Sequence, residues 1–414
     1  MHGSIDAFGR TDASARNVSA ARRGRRLLFF CPDFTDASTI KRTQQFIDQG
    51  YDVTVFGFRR ERYNADYSPT WPHVSLGLTS DGAYGQRIAA LLKALPTIFS
   101  RRRMMKAASV LYARNIDQLV LLLLARLVAF SRAPIAYEVL DIPPILMRRG
   151  IRPALLRAVE RFCLRYIHVL VLSSPGFHRG YYSAVQKYRG AWFLLENKLP
   201  PSIAESGRRA APAPRKDRPW VVGYFGLIRG EQTFDLITRL AERLRGRVEF
   251  KFRGILTTVD RAKFDAVLKQ HSNIVYGGPY LPYQDLEALY SDVDFAWALD
   301  LENADHNSRW LLPCRFYEAG FFGVPCLAVH GFEVGSVLER HRIGWTFDTP
   351  LEESLVRFFE RLDSADFNLV RARLRAVPSS MFVAGDDIAE LCAILDGRLK
   401  PPCDSSSRNQ IRPA

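Results

Sequence analysis

The sequence predicts two doubly wound α/β domains of Rossmann-like type that face a common cleft. Three observations carry this expectation. Short apolar runs without strict polar alternation recur along the chain, separated by stretches of helical periodicity, which is the pattern of parallel strands buried on both faces. The pattern breaks once, at 200–218, where large apolar residues give way to Pro, Ala and charge. The same strand–helix unit then resumes from Pro219. A chain of 414 residues is long for one core and comfortable for two.

Residues 1–24 are small, polar and Arg-rich, and read as a disordered tail without the apolar core of a signal peptide. The first domain, 25–199, opens with LLFFCPDF, continues through a helix from Thr39 that Gly50 closes, and reaches the strand YDVTVFGF. Further strands are expected at Ala108–Tyr112, at IAYEVL (135–140) and at HVLVLSS (168–174), with a Leu-rich helix after Asn115. Ligands of such sheets sit at the carboxyl ends of the strands. Those ends read CPDF, YARN, YEVLD, LSSPGF and LLENK, with Asp33, Thr35, Arg42 and Asn197 as candidate lining. The second domain, 219–375, runs through WVVGYFG, VEFKFRG, NIVYGG, VDFAWAL and GWTF, with intervening helices at about 231–245, 259–270 and 283–290. A terminal helix over 376–398 carries Ile388, Leu391, Cys392 and Leu395, and 399–414 reads as a second disordered tail.

Composition excludes several classes. Six cysteines show no CxxC pair and eight histidines form no HExxH or similar cluster, so buried thiols in a reducing, cytoplasmic setting and no structural metal are expected. Leu119–Phe130 is apolar but is interrupted by Arg126, and falls short of the roughly 20 residues a spanning helix needs. Charge is unevenly distributed. From Arg25 to Leu199 there are 26 Lys/Arg against 12 Asp/Glu, whereas from Pro219 to Arg398 there are 20 against 26. One half is basic, the other mildly acidic.

The richest stretch is Asn307–Ala328, NSRWLLPCRFYEAGFFGVPCLA: a polar entry, a helix and an apolar strand, separated by Gly320, Gly323 and Pro325. Asn307, Ser308 and Arg309 fall in the loop before the helix, and Arg315 and Glu318 on its first turns. Free N–H groups and the positive end of the helix dipole favour an anion there, and a phosphate suits the position.

Together with the linker, the strand–GYFG–loop of 223–230 and the PCRFYEAGFFGVP element, this arrangement resembles the GT-B glycosyltransferases. More narrowly it is similar to family-4-like enzymes and to bacterial exopolysaccharide glycosyltransferases. The likeness in element order spans roughly Arg26 to Arg398 and is strong only in the quoted stretches. It implies a nucleotide-diphosphate sugar as substrate, with no separate cofactor, and a ribose-binding role for Glu318, whose carboxylate accepts from two adjacent hydroxyls. It places the donor diphosphate against the loop from Gly226 to Gly230, with Arg229 offering a planar fork. Arg253 and Arg315 either neutralise that diphosphate or make structural ion pairs. Asp292-Val293-Asp294 marks a strand entrance rather than a metal site. In the first domain, the resemblance places an acidic residue of YEVLDIPP in the cleft. Asp141 is the first candidate and Glu138 the second for the acceptor-side base, and a helix cap is the alternative for Asp141. The family pattern has a Glu eight residues before Glu318; here that position is Trp310. The resemblance therefore specifies no stereochemical course.

The basic half has its own reading. Over Arg152–Tyr166 the spacing sorts Leu155, Leu156, Val159, Phe162, Cys163 and Tyr166 onto a core stripe and Arg157, Arg161 and Arg165 onto an outer one. Arg87–Lys106 mixes Leu91, Leu92, Leu95, Ile98 and Phe99 with Arg101, Arg102, Arg103 and Lys106. Both stretches suit an anionic membrane surface, and a lipid-linked glycan acceptor fits the charge, at the inner face of the plasma membrane. A nucleic-acid partner, suggested by a pI near 9.7, finds no recognisable module in the chain. A catalytically silent GT-B subunit that binds a partner or lipid is the remaining alternative.

Overall fold

The computed structural model describes residues 24–60, 67–79, 84–205, 218–281 and 283–402. Most of the two expected tails, and 206–217 of the expected linker, lie outside these residues.

Two all-parallel sheets organise the chain. The first has seven strands in the order β3-β2-β1-β4-β5-β6-β7. They are β1 (Arg26–Cys31), β2 (Asp52–Arg59), β3 (His73–Leu78), β4 (Val110–Arg114), β5 (Ile135–Val139), β6 (Val169–Leu172) and β7 (Trp192–Leu194). The second has six in the order β10-β9-β8-β11-β12-β13. These are β8 (Trp220–Ile228), β9 (Val248–Leu256), β10 (Ile274–Tyr276), β11 (Phe295–Trp297), β12 (Cys326–Val329) and β13 (Gly344–Phe347). Strand order reverses between β1 and β4 in one sheet and between β8 and β11 in the other, the switch points where wound sheets open a crevice. The expected pair of wound α/β domains is thus present. The edge strand β3 was not foreseen, because HVSLGL has only one buried residue and no apolar run.

Helices cover both sheets. Those that matter below are α1 (Ala37–Asp48), α2 (Tyr84–Ser100), α3 (Ile116–Ala129), α4 (Ile151–Cys163), α5 (Asn307–Trp310), α6 (Cys314–Phe321), α7 (Glu333–His341) and α8 (Asp387–Leu395). The Asp36 carboxylate caps α1 by accepting from the backbone of Ser38 and Thr39.

Two sequence expectations change. In place of one terminal helix over 376–398, a helix at Ser364–Ala376 ends before Pro378 and α8 begins at Asp387. Proline biases the preceding residue, Val377, toward extended backbone, and Val377 has ψ 135°. Between these helices the chain returns to the first domain: Leu199 and Val383 bridge in parallel, and Leu391, Cys392, Ile394 and Leu395 pack with Leu27, Phe29, Phe46 and Tyr51. The first domain is therefore completed by the end of the chain.

The second change concerns α4. Its predicted core stripe lies largely outside, with Leu155 64% and Phe162 55% exposed, while Pro153, Glu160 and Cys163 face in. The reason is Glu160. Its carboxylate accepts from Tyr137, Tyr181, Tyr182 and Gln186, all buried, and this polar network turns the helix against its apolar pattern. Arg157 and Arg161, which the spacing places on an outer stripe suited to an anionic membrane surface, donate to the carbonyls of Leu146, Arg148, Val185 and Gln186.

Candidate active site

The carboxyl ends of the first sheet meet the segment around α5 and α6 of the second domain. Asn307 Nδ2 donates to Asp141 Oδ1 at 3.0 Å, Tyr317 Oη to Glu196 Oε1 at 3.0 Å, and Asn197 Nδ2 to the Cys314 sulfur at 2.9 Å. Asp141, Glu196 and Asn197 all follow the ends of strands β5 and β7. The cleft foreseen between the domains is therefore lined by both.

Asp141 is exposed on the cleft side, yet protein surrounds the rest of it. Burial pushes its carboxyl above the usual range; the hydrogen bond from Asn307 and the charge of Arg229 pull it back, and Asp300 and Asp36 push it further up. A carboxylate of raised basicity, open to the cleft, is suited to accept a proton.

Glu138, the second candidate, has another job. Its carboxylate is 1% exposed and sits between Arg42, with Nε at 2.9 Å, and Arg114, with Nε at 2.8 Å. Burial alone would raise its pKa, but Arg114 and Arg42, by charge and by hydrogen bond, outweigh that and hold it below the usual range. A carboxylate so enclosed is a structural anion rather than a base, and Arg42 is its partner rather than a cleft residue. Asp33, likewise, is turned onto Thr35, accepting from its backbone at 2.8 Å and its hydroxyl at 2.7 Å.

On the second domain, α6 starts at Cys314, with Pro313 at its cap position and no side-chain cap. The helix start thus presents N–H groups at 314 and 315 with no acceptor among the described residues, seven residues beyond the Asn307 loop where the sequence placed them. Asn307 and Ser308 instead form the separate short helix α5. Asn307 is spent on Asp141, and the Ser308 hydroxyl is buried without a protein partner among the described residues. Glu318 lies one turn into α6. It accepts from Tyr290 Oη at 2.9 Å; burial raises its carboxyl pKa, while Tyr290, Arg315 and Lys41 restrain it.

The three arginines differ. Arg229, at the β8/β11 switch point, donates from Nε to Asp300 at 3.1 Å and lies 3.5 Å from Glu302, and its charge is felt at Asp141. Arg315 donates to the carbonyl of Trp297 at 3.2 Å and lies 4.4 Å above the Tyr224 ring. Arg253 is taken up by the carbonyls of Gly278 and Pro279, at 3.1 and 3.0 Å, and shapes that loop. Gly226 falls inside β8 rather than in the loop after it, because the register with β9 continues to Ile228↔Leu256. Its φ of +107° still needs glycine. Among the described residues no His/Cys/Asp/Glu cluster has metal-site geometry, and Asp292 and Asp294 pair with Lys251 and Arg218.

Sequence reading missed Lys41. From α1 its ammonium donates to Asn197 Oδ1 at 3.0 Å and to the carbonyl of Lys198 at 2.7 Å, and among the described residues it pairs with no carboxylate. Burial lowers its pKa to about 8, against the opposing pull of Cys314, Glu318 and Glu138. The Cys314 thiol feels the charges of Glu318, Lys41, Arg315 and Asp141 together, so these groups share one cleft. Nothing local marks Lys41 in the sequence; its hydrogen-bond partners follow β7 of its own domain, and the second domain brings Cys314 and Glu318 near it.

This is the architecture of the GT-B glycosyltransferases. Among solved structures, the chain superposes on Anabaena HepE bound to UDP and glucose (TM-score 0.64, 14% identity, 90% of this chain and 99% of that one). It also superposes on sucrose-phosphate synthase from Thermosynechococcus elongatus (0.65, 12%, 90% and 99%) and on the lipopolysaccharide outer core galactosyltransferase WaaB (0.60, 10%, 90% and 100%). At these identities the likeness establishes the fold. No protein-family model matches the sequence. Its sequence is, however, 31% identical over 334 residues to the succinoglycan biosynthesis protein ExoL of Rhizobium meliloti (strain 1021), across 80% of this chain and 82% of that protein. The chain belongs to that family and is a glycosyltransferase of exopolysaccharide biosynthesis, the group its sequence resembled.

Proposed function

We propose that the enzyme moves a hexose from a nucleotide-diphosphate sugar to a hydroxyl of a lipid-linked glycan, at the inner face of the plasma membrane and without a metal ion. The observation that carries this reading is the convergence of Asp141, Glu318, Lys41 and the uncapped start of α6 on one interdomain cleft. Asp141 takes the proton of the acceptor hydroxyl as its oxygen bonds to the anomeric carbon and the bond to the donor diphosphate breaks. The departing diphosphate meets Lys41 and the N–H groups at the start of α6. Glu318, steadied by Tyr290, accepts from the ribose hydroxyls. HepE, solved with UDP-glucose, supports a uridine nucleotide as the first to try.

The membrane part rests on the adjacent helices α2, α3 and α4. They expose Ile88, Leu92, Leu127 (70%), Phe130 (85%), Ile151 (89%), Leu155 and Phe162, with Arg101, Arg102, Arg103, Arg132, Arg148, Arg149 and Arg152 exposed on the same elements and their flanks. Exposed apolar side chains on adjacent helices, with exposed arginines on the same elements, suit a lipid interface with anionic headgroups. Among the described residues no helix is long and apolar enough to cross a membrane.

Calorimetry with UDP tests the donor site. Glu318→Ala removes charge-assisted hydrogen bonds worth about 1.5–3 kcal/mol, so affinity is expected to fall roughly 10- to 150-fold. Unchanged affinity refutes the assignment.

A further inference from the structure

We propose that α5 is an interdomain clasp that positions Asp141, with Trp310 as its anchor and Asn307 as its grip. The proposal rests on the reading of Asp141 as the acceptor-side base, and it gives a role to the residue that departs from the family pattern.

Trp310 belongs by sequence to the second domain, yet its side chain packs with the core of the first. It enters a slot that exists because residues 176 and 180 are glycines. A Cβ on Gly180 would stand 2.2 Å from Trp310 Cε2, and one on Gly176 would stand 2.6 Å from the Trp310 carbonyl oxygen. Neither glycine has positive φ, so space is what they supply. Ser174 Oγ donates to the Trp310 carbonyl and itself accepts from Gly176 N at 3.2 Å. The wall bearing Gly180 is the turn His178–Ser183, whose Tyr181 and Tyr182 are tied to buried Glu160. Arg179 of the same turn pairs with Glu333 at the start of α7, a further tie between the domains.

Three residues before Trp310, on the same face of a helical turn, stands Asn307. Its Nδ2 donates to Asp141 Oδ1 at 3.0 Å, and its Oδ1 accepts from the backbone of Ile142 at 2.9 Å. One amide thus holds both the carboxylate and the backbone of the loop after β5. Asn307 is 5% exposed, and among the described residues its amide supplies the one side-chain hydrogen bond made to Asp141. The charges facing Asp141 are Arg229 and Asp300 of the second domain and Asp36 at the start of α1. The bond from Asn307 favours the ionised carboxylate, so losing it raises the pKa of Asp141 and moves the acid limb of kcat/KM to higher pH.

The test is steady-state kinetics across pH, with UDP calorimetry and urea unfolding on each variant. Asn307→Ala and Trp310→Ala are expected to lower kcat about 10- to 100-fold, shift the acid limb upward, and leave UDP affinity within about threefold. Trp310→Phe restores most of the rate. Gly180→Ala, which obstructs the slot from the opposite domain, reproduces the Trp310→Ala profile and adds little to it in the double variant. If Trp310→Ala does not fold, Asn307→Ala and Gly180→Ala carry the same readout. An inactive Asp141→Asn beside wild-type kcat and pH profiles in Asn307→Ala and Trp310→Ala overturns the clasp alone. A fully active Asp141→Asn overturns the reading of Asp141 on which it rests.

Discussion

Glu138→Gln separates structural charge from catalytic charge in this cleft. The substitution keeps the shape of the side chain and removes its charge, leaving the guanidinia of Arg42 and Arg114 facing each other at 5% and 3% exposure. Breaking a buried ion pair by neutralising one partner costs about 3–5 kcal/mol, because the remaining charge is neither solvated nor compensated. Here the two guanidinia approach the carboxylate at 2.7 and 2.8 Å, but Asp36 at 3.8 Å still compensates part of the Arg114 charge, so the lower part of that range is expected. At a urea m-value of about 3 kcal/mol/M, the first-domain transition should move down by about 1 M or more. The pH dependence has a definite sign. The folded pKa of Glu138 lies below its unfolded value, so its contribution is complete above the unfolded pKa, near 4.3, and is lost as pH falls through the folded value. Wild type should therefore lose stability in acid below about pH 4, and the variant should lose less over the same interval. Circular dichroism in urea at pH 7 and across the acid range measures both. A Glu138→Gln protein that unfolds within about 0.5 kcal/mol of wild type but has lost turnover would refute the structural assignment and return Glu138 to the chemistry.

Two further outcomes follow from the same geometry. Lys41→Met should weaken UDP binding about 10- to 100-fold, the worth of a charged hydrogen bond. In wild type that affinity should fall as pH rises through about 8, where the ammonium deprotonates, and Lys41→Met should show no such decline; calorimetry at pH 7 and pH 9 decides it. Leu127→Asp with Phe130→Asp should abolish co-sedimentation with anionic vesicles and leave UDP affinity intact, since both side chains lie on the exposed face of α3 and its end. Retained sedimentation would show that the apolar face is not the docking surface.

The fold was legible because a buried parallel strand is an uninterrupted apolar run, and LLFF, VLVL and FAW need no partner to declare themselves. The turn from α6 into β12 was legible for a similar reason: Gly323 has φ +72° and Pro325 follows, so local backbone chemistry alone ends the helix. What periodicity misread was α4, where one buried glutamate with four polar partners from β5 and the 178–186 segment outweighed the apolar Leu155, Val159 and Phe162, which are left exposed. Those partners are 21 to 26 positions away, and no window over the helix contains them.

The site divides along the same line. By itself the sequence determined the two wound domains and the resemblance to the family, and it picked out Glu318 and Asp141 as candidate carboxylates. Only the tertiary structure decided which neighbours each charged group has there. Glu138 and Asp141 are three residues apart with the same functional group, but one is closed between two arginines and the other opens to the cleft under an asparagine from the second domain. Trp310 gains its packing partners, and Lys41 its neighbours Cys314 and Glu318, only when the domains meet. A side chain's pKa and availability are set by the neighbours that desolvate and pair it, and here those neighbours lie tens to more than a hundred residues away in the chain.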